Sequence, residues 1–366
     1  MIFNPLITYI YPYRNRDIDR IKRSLDSLVA QENKNFEVLF IDYGSEIEIS
    51  NQVASFLEAY PFVTYIYTSS EGKPWNRSKA INIGIKLAET DFILSADIDM
   101  IFHPSFNGML TTLSDKSKVT FFKVGYLSEK ETFANHEFKP ESVSNQRAKG
   151  ISLYPKPALM SINGFDEFFN CWGSEDEDVI DRLVLNGVSK DFYSEDILVF
   201  HQYHKPFKEL KNKLLSEDLT FDQVRFHNDK KRKFNSEKRL IKVNNKGWGE
   251  VVEKEYYNNL INTPISKTVT SYKTEVDFFL FFELNRLTKG AWAFKFVQFV
   301  PERNVNFKSV LYRIWTIRNR DLKAKGEYSL KEVNDLLLKF LLYQGFDFHL
   351  KVDLESNSLE LRVNIT

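Results

Sequence analysis

Two aspartates one residue apart, Asp97 and Asp99, close the apolar run Phe92-Ile93-Leu94-Ser95-Ala96. Carboxylates at the end of a buried strand are costly unless a cation or ordered donors compensate them. A hard divalent ion carrying a diphosphate is the simplest compensator. If the strand continues through the motif, alternate residues share a side and both acids face one ligand. The plainer reading is a strand followed by an Asp-containing turn. Arg14 and Arg16, one residue apart and following Pro12-Tyr13 at the end of a first apolar run, suit bidentate gripping of a diphosphate. Asp42, ending a second run, either starts a turn or accepts a hydrogen bond from a base N–H.

A second group of acids, Glu175, Asp176, Glu177 and Asp178, follows Trp172-Gly173-Ser174. Ser174 as N-cap with Glu177 three residues on has the pattern of a capping box, and acids in a first turn suit the helix dipole. A capped helix does not require four acids behind a Trp-Gly pair. An indole beside carboxylates is also a way to hold a sugar, the ring on its C–H face and the acids on its hydroxyls. His201 and His204 are two of six histidines and stand at a strand end. They suit metal ligation, provided that the chain turns between them, since strand geometry would point them apart.

The elements that position these residues alternate. Strands are expected at Leu6–Tyr11, Phe36–Ile41, Val63–Tyr67 and from Phe92, with helices near 18–28, 48–59 and 75–87 by apolar spacing. That order predicts a parallel sheet covered on both faces, with the ligand outside the carboxyl ends of the strands. Residues 127–149 read as a loop over the site and Gly150–Tyr154 as a further strand. The basic run Lys230–Lys233 is either a solvated helix or a contact for a phosphorylated or membrane-held acceptor, and Trp248 reads as exposed in a turn. Beyond Pro264 the expectation is a small α+β domain: strands at 277–284, 291–300, 346–352 and 359–365, helices at 310–317 and 330–342. The expected domains are therefore 1–262 and 263–366.

Composition narrows the class. The 366 residues are 43% hydrophobic and 15% aromatic, enough for a sizeable core. Fifty Lys and Arg against fifty Asp and Glu leave no field that favours nucleic acid. Cys171 is the single cysteine, so no intramolecular disulfide forms. No apolar run approaches the ~18–20 residues of a membrane span, and no signal-peptide pattern opens the sequence. The expectation is a soluble cytoplasmic protein.

With the motifs in order, the chain resembles the inverting GT-A glycosyltransferases, in particular the β-1,4-galactosyltransferase type and the bacterial family-2 capsule and chondroitin-type synthases. The matching residues are Pro12-Tyr13-Arg14-Asn15-Arg16, Trp75-Asn76-Arg77-Ser78-Lys79, Asp97-Ile98-Asp99, Gly150-Ile151-Ser152, and Asn163-Gly164-Phe165 followed by Trp172-Gly173-Ser174-Glu175-Asp176; Asp42-Tyr43-Gly44-Ser45 is closer to the broad family 2. The likeness covers roughly residues 5–206. It implies an α/β fold with a Rossmann-like GT-A domain ahead of the small C-terminal domain. It implies donor contacts from Pro12, Arg14, Arg16, Asp42, Arg77, Asp97 and Gly150. Acceptor contacts would come from Trp172, Glu175, Asp176 and Glu177, with Asp176 as catalytic base. Asp99 with His201, His204 or both would hold Mn²⁺, with Mg²⁺ the alternative ion. Ser174 stands where a glycine is usual.

The implied activity is metal-dependent transfer of a hexose, galactose- or N-acetylgalactosamine-type, from a UDP-sugar to a glycan hydroxyl. The acceptor would be free or lipid-linked, in bacterial surface polysaccharide synthesis, with the enzyme in the cytoplasm or at the inner membrane face. A catalytically silent glycan- or nucleotide-binding module on the same fold is the alternative. Intact Asp99, Asp176 and His204 speak against it. A nucleotidyltransferase could also use paired aspartates, but it has no use for the Trp172–Asp178 platform.

Overall fold

The computed structural model describes residues 6–132, 138–146, 149–204, 214–300 and 326–365. The chain divides into two compact units. The first comprises residues 1–71, 75–208 and 223–253; the second takes 72–74, 209–222 and 254–366.

The first unit is built on strands β1 (Ile7–Tyr13), β2 (Phe36–Tyr43), β3 (Val63–Thr68), β4 (Phe92–Ser95), β5 (Met100–Phe102), β6 (Lys118–Phe122), β7 (Val124–Tyr126), β8 (Ser142–Val143), β9 (Ser152–Pro155), β10 (Ser189–Tyr193) and β11 (Val199–His201). Its helices are α1 (Ile18–Val29), α2 (Ile47–Leu57), α3 (Arg77–Leu87), α4 (Phe106–Leu113), α5 (Glu129–Thr132), α6 (Lys156–Ser161), α7 (Glu175–Leu185) and α8 (Val224–Glu237). Seven strands form one sheet in the order β10-β6-β9-β4-β1-β2-β3, and β5-β11-β7-β8 form a second.

Strand β1 is buried along its whole length because it serves two cores. Tyr9, Tyr11 and Tyr13 pack with Ile21, Leu25 and Leu28 of α1, while Ile10 packs on the opposite face with Ala80 and Ile83 of α3. Pro12, expected to end the strand, lies inside it, beyond the last pair with β4 at Ile10–Ser95. A proline there interrupts no ladder on that side.

The sheet is not wholly parallel. β9 runs antiparallel to both β4 and β6, with Ser152 opposite Ser95. This reversal decides the site, because an antiparallel β9 starts at the carboxyl end of β4. It therefore delivers Gly150 beside Asp97; a parallel strand would start at the other end.

The second unit holds β12 (Lys267–Thr270), β13 (Gly290–Val297), β14 (Asp347–Asp353) and β15 (Ser358–Ile365), ordered β12-β13-β15-β14. It also has helices α9 (Lys254–Ile261), α10 (Lys273–Phe278) and α11 (Leu330–Gln344). The strand expected at 277–284 is instead helical, α10 continuing into a π turn at Phe279–Glu283. Its buried residues are Val276, Phe279, Leu280 and Leu284, a helical spacing that the aromatic content masks. α11 opens with the capping box Ser329–Glu332 and ends at Gly345, whose φ of 69° suits a glycine.

By packing, the units divide after Glu253 rather than after residue 262. α9 belongs with the second sheet, where the Tyr256 hydroxyl donates to Asp347 and accepts from Asn364. The segment 72–74 also belongs there: Leu350 N–H donates to the Gly72 carbonyl at 2.8 Å, covering the edge strand β14. The helix expected at 310–317 lies outside the described residues. No helix among the described residues is long and apolar enough to cross a membrane.

Candidate active site

β4 ends at Ser95, and the two aspartates lie in a turn closed by Met100 N–H donating to the Asp97 carbonyl at 3.2 Å. The strand does not continue through the motif, so the two carboxylates part company. Asp97 turns toward α3 and Asp99 toward the end of β11. The turn is needed because β5 must reverse to pair antiparallel with β11.

Arg77, at the first turn of α3 behind the Asn76 N-cap, gathers one half of the site. Its Nε donates to Asp97 Oδ1 at 2.9 Å and its Nη1 to Asp176 Oδ1 at 2.8 Å. Its Nη2 donates to Ser95 Oγ and to the Gly150 carbonyl, both at 3.1 Å. Four of the five N–H donors of a guanidinium are thus spent on the protein. Burial works against the charge, but Asp176, Asp97 and Glu175 hold it firmly on. For Asp97, burial raises the pKa, Arg77 pulls it back, and Asp99 and Asp176 push it up again; the net shift is upward. A methyl group built on Gly150 would stand 3.7 Å from Asp176 Oδ2 and 3.8 Å from Asp97 Oδ2, so these oxygens face the same small space.

The other half is a carboxylate between two imidazoles. Asp99 Oδ2 lies 3.2 Å from His204 Nε2 and 3.7 Å from His201 Nε2, and the three side chains can present ligand atoms within 4.8 Å of one another. The histidines converge because β11 stops at His201. Gln202, fully buried, then fixes the bend: its Oε1 accepts from Arg23 Nε at 2.6 Å and its Nε2 donates to the Arg20 carbonyl at 3.0 Å. Asp99 Oδ1 is buried without a hydrogen-bond partner among the described residues. Burial would raise the Asp99 pKa, yet the bond to His204 and the charges of both histidines bring it below the usual carboxylate value. An orphaned buried oxygen beside two imidazoles fits a divalent cation with mixed N and O ligands.

The family model for glycosyl transferase family 2 matches residues 8–169. Residues 8–169 are a glycosyl transferase family 2 domain. An uncharacterized glycosyltransferase of Rickettsia prowazekii is 24% identical over 159 residues, covering 42% of this chain and 47% of that protein. Bos taurus β-1,4-galactosyltransferase 1 is 26% identical over 129 residues, 34% of this chain and 29% of that one. Among solved structures, S. aureus TarS 1–349 in complex with UDP-GlcNAc aligns with a TM-score of 0.44 at 20% identity, over 58% of this chain and 62% of that one. The chain spans less than half the length of the curated relatives described here.

In the first unit the four acids of α7 take four directions, as 100° per residue requires. Asp176 faces Arg77. Glu175 is buried next to it. Glu177 turns outward to Arg232, away from Arg77 and Asp97, so the acceptor contact expected from it is not brought to this cluster. Asp178 pairs with Arg182 at 2.7 Å, both nearly inaccessible, and leaving either charge alone there would cost on the order of 3–5 kcal/mol. Arg182 also donates to the carbonyls of Ile162 and Gly164, locking the Asn163-Gly164-Phe165 turn. Nothing in the sequence marks this bracing, since an Asp–Arg pair at i, i+4 has the same spacing on an exposed helix face. Trp248, expected to be exposed, is buried against Gly164 in the same layer.

Ser174 is no capping-box residue. Its φ is 76° and its hydroxyl donates to Asp229 at 2.6 Å, while Cys171 (φ 61°) and Gly173 (φ 104°) are left-handed too. Non-glycine residues held there cost about 1–2 kcal/mol each, which accounts for a glycine being the easier choice at position 174. The loop is held by Cys171 N–H donating to the Trp75 carbonyl at 2.7 Å and by Asn228 donating to the carbonyls of Asn170 and Trp172. Trp172 is 54% exposed, its ring 5.1 Å from the Arg225 guanidinium.

The donor-side residues are less uniform. Arg14 is half-buried, its Nη2 3.5 Å from the Ser70 carbonyl, and Arg16 is exposed. Their loop is fixed by the Tyr13 hydroxyl, which donates to the Arg16 carbonyl at 2.7 Å, and by Asn15 N–H donating to Ser45 Oγ at 2.9 Å. Asp42 is fully buried; its oxygens accept from Ser45 N–H at 2.9 Å and Tyr65 hydroxyl at 2.8 Å. In this conformation it closes the turn and presents no surface to a base.

Glu175 carries a pH signature. Burial first, then the Asp176 charge, push its acid from the usual 4.5 up to about 7, against the pull of Arg77. Between those values the folded chain keeps a proton that the unfolded chain has lost, so stability falls as pH rises through the window. Glu175→Gln is expected to flatten this slope, sparing on the order of 2 kcal/mol between about pH 5 and pH 8. Denaturant titrations of both proteins at the two pH values check it. Parallel slopes would mean that Glu175 is already ionised in the fold.

Proposed function

We propose that the domain transfers a hexose, galactose- or N-acetylgalactosamine-type, from a UDP-sugar to a hydroxyl of a glycan with inversion at the anomeric carbon. The observation that carries this reading is the Arg77 bridge, which places a carboxylate, Asp176, beside the Asp97 and Asp99 turn. In the reading, the acceptor lies on Trp172 with Glu175 near its hydroxyls. As the acceptor oxygen bonds to the anomeric carbon and the bond to UDP breaks, Asp176 takes the hydroxyl proton. Arg14 and Arg16 reach the diphosphate. Arg77 acts as the positioning residue for both Asp97 and Asp176.

Asp99, His201 and His204 would hold the ion, and their mixed donors favour Mn²⁺ over Mg²⁺. When bound, the ion neutralises charge on the departing diphosphate. The names of the relatives, a galactosyltransferase and, in Mus musculus, chondroitin sulfate synthase 3, support transfer of a galactose-type sugar and a saccharide acceptor. Surface polysaccharide synthesis on the cytoplasmic side, with a free or lipid-linked acceptor, is the setting that suits this chemistry.

The test is a panel of UDP-sugars assayed for UDP release, with and without acceptor glycans and with and without EDTA. Acceptor-dependent, metal-dependent release with one donor is expected. Tight UDP binding without release from any donor would favour the silent module.

A further inference from the structure

Gln202 stands between the two histidines. The chain joins it to His201, and its backbone N–H donates to the Asp99 carbonyl at 3.0 Å. Its buried side chain reaches α1, where Oε1 accepts from Arg23 Nε at 2.6 Å and Nε2 donates to the Arg20 carbonyl at 3.0 Å. A guanidinium can only donate and a carbonyl can only accept. One planar amide answers both. Glutamate would set an oxygen against the carbonyl, and methionine would leave both groups unbonded. Gln31 makes the same kind of tie at the other end of β5. It is 2% exposed, donates to the His103 carbonyl at 2.8 Å and accepts from Asn107 N–H at 2.8 Å. Its partners are neither the three candidate ligands nor their chain neighbours. The two glutamines therefore separate holding the fold from holding the site.

We infer that Gln202, held by Arg23, is the positioning residue of the Asp99–His201–His204 cluster, and that this clamp sets the affinity of the cluster for a divalent cation. The inference rests on the reading of that cluster as a metal site. Its reason is geometric. A straight strand points residues three apart to opposite sides, so His204 reaches Asp99 only where the chain bends. A bend free to straighten would present the second imidazole part of the time, and the ion would have to order it on binding. With Gln202 clamped, the bend is in place before the ion arrives. The two imidazole rings then stand with their centres 4.9 Å apart, and the ion has less to order. In this account Arg23 acts on the cluster through Gln202, so the effects of the two residues are coupled rather than additive.

The experiment is Mn²⁺ titration of the full chain, by calorimetry or the Mn²⁺ resonance signal, with a melting temperature for each protein. The proteins are wild type, Gln202→Met, Arg23→Met, their double variant and Gln31→Met. Gln202→Met is expected to weaken Mn²⁺ binding about tenfold or more, and Arg23→Met to weaken it as well. The double variant should bind no more weakly than Gln202→Met alone. Gln31→Met should melt lower yet bind Mn²⁺ as the wild type does. Wild-type Mn²⁺ affinity in folded Gln202→Met and Arg23→Met would overturn the inference. So would an equal weakening in Gln31→Met, because the loss would then come from the fold. Should Gln202→Met not fold, Arg23→Met, at a half-buried residue, decides. No Mn²⁺ binding by the wild type would end the metal reading and this inference together. Binding that ignores the variants ends only this one.

Discussion

Asp176→Asn is expected to lower sugar transfer by about a hundredfold or more while UDP and metal binding stay near wild type. Asparagine keeps the shape of the side chain and an oxygen for Arg77 Nη1, which bonds Asp176 Oδ1 at 2.8 Å. What it loses is the capacity to take a proton. A sugar hydroxyl is a poor nucleophile, so that loss falls on the transfer step itself. The competing account makes Asp176 only a structural partner of the buried Arg77 and an acid in the first turn of α7. Dipole and pairing effects at a helix start are worth about 0.3–1 kcal/mol, so that account predicts a lower melting temperature with turnover little changed in the folded fraction. Measuring thermal stability and transfer rate on the same preparations separates the two. Transfer close to the wild-type rate would remove Asp176 from the mechanism, whatever its effect on stability.

The second large effect concerns the Asp99–His201–His204 cluster. Asp99→Asn and His204→Ala are each expected to weaken Mn²⁺ binding by at least the ten- to hundredfold typical of losing an outer-shell partner, since these are direct ligand candidates. Titration calorimetry or the Mn²⁺ resonance signal reads this without any turnover. The buried Asp99 Oδ1, without a hydrogen-bond partner among the described residues, gives the reason to expect a site. Asn in its place offers one neutral oxygen instead of a carboxylate beside two imidazoles. Excess EDTA should stop transfer and added Mn²⁺ restore it. Wild-type Mn²⁺ affinity in both variants, or undiminished turnover in EDTA, would sink the assignment. His201→Ala then tells whether both imidazoles contribute.

The sequence by itself settled the kind of protein. Apolar runs alternating with helical spacing laid out the α/β architecture from Ile7 to Ser95, because strand and helix periods survive in any chain that must bury one face. Residue types at strand ends and helix starts supplied the candidates: Asp97, Asp99, Arg77, Asp176, His201 and His204 are all named by spacing or by likeness. Local rules failed where tertiary packing outvoted them. The aromatic run at 277–284 is helical because burial at Val276, Phe279, Leu280 and Leu284 decides the period, not the β propensity of its phenylalanines. Ser174 and Glu177 fit a capping box in sequence, yet a left-handed Ser174 and the pull of Asp229 and Arg232 undo it.

Only the tertiary structure decided which charges meet. Arg77 precedes Asp176 by 99 positions, and their bond exists because α3 and α7 both open at the carboxyl end of β4. The antiparallel entry of β9 brings Gly150 there, and the bend fixed by Gln202 brings the two histidines to Asp99. Strand direction and chain reversal leave no periodic mark on a sequence. Pairing across such distances is set by packing geometry, which no single stretch of residues encodes.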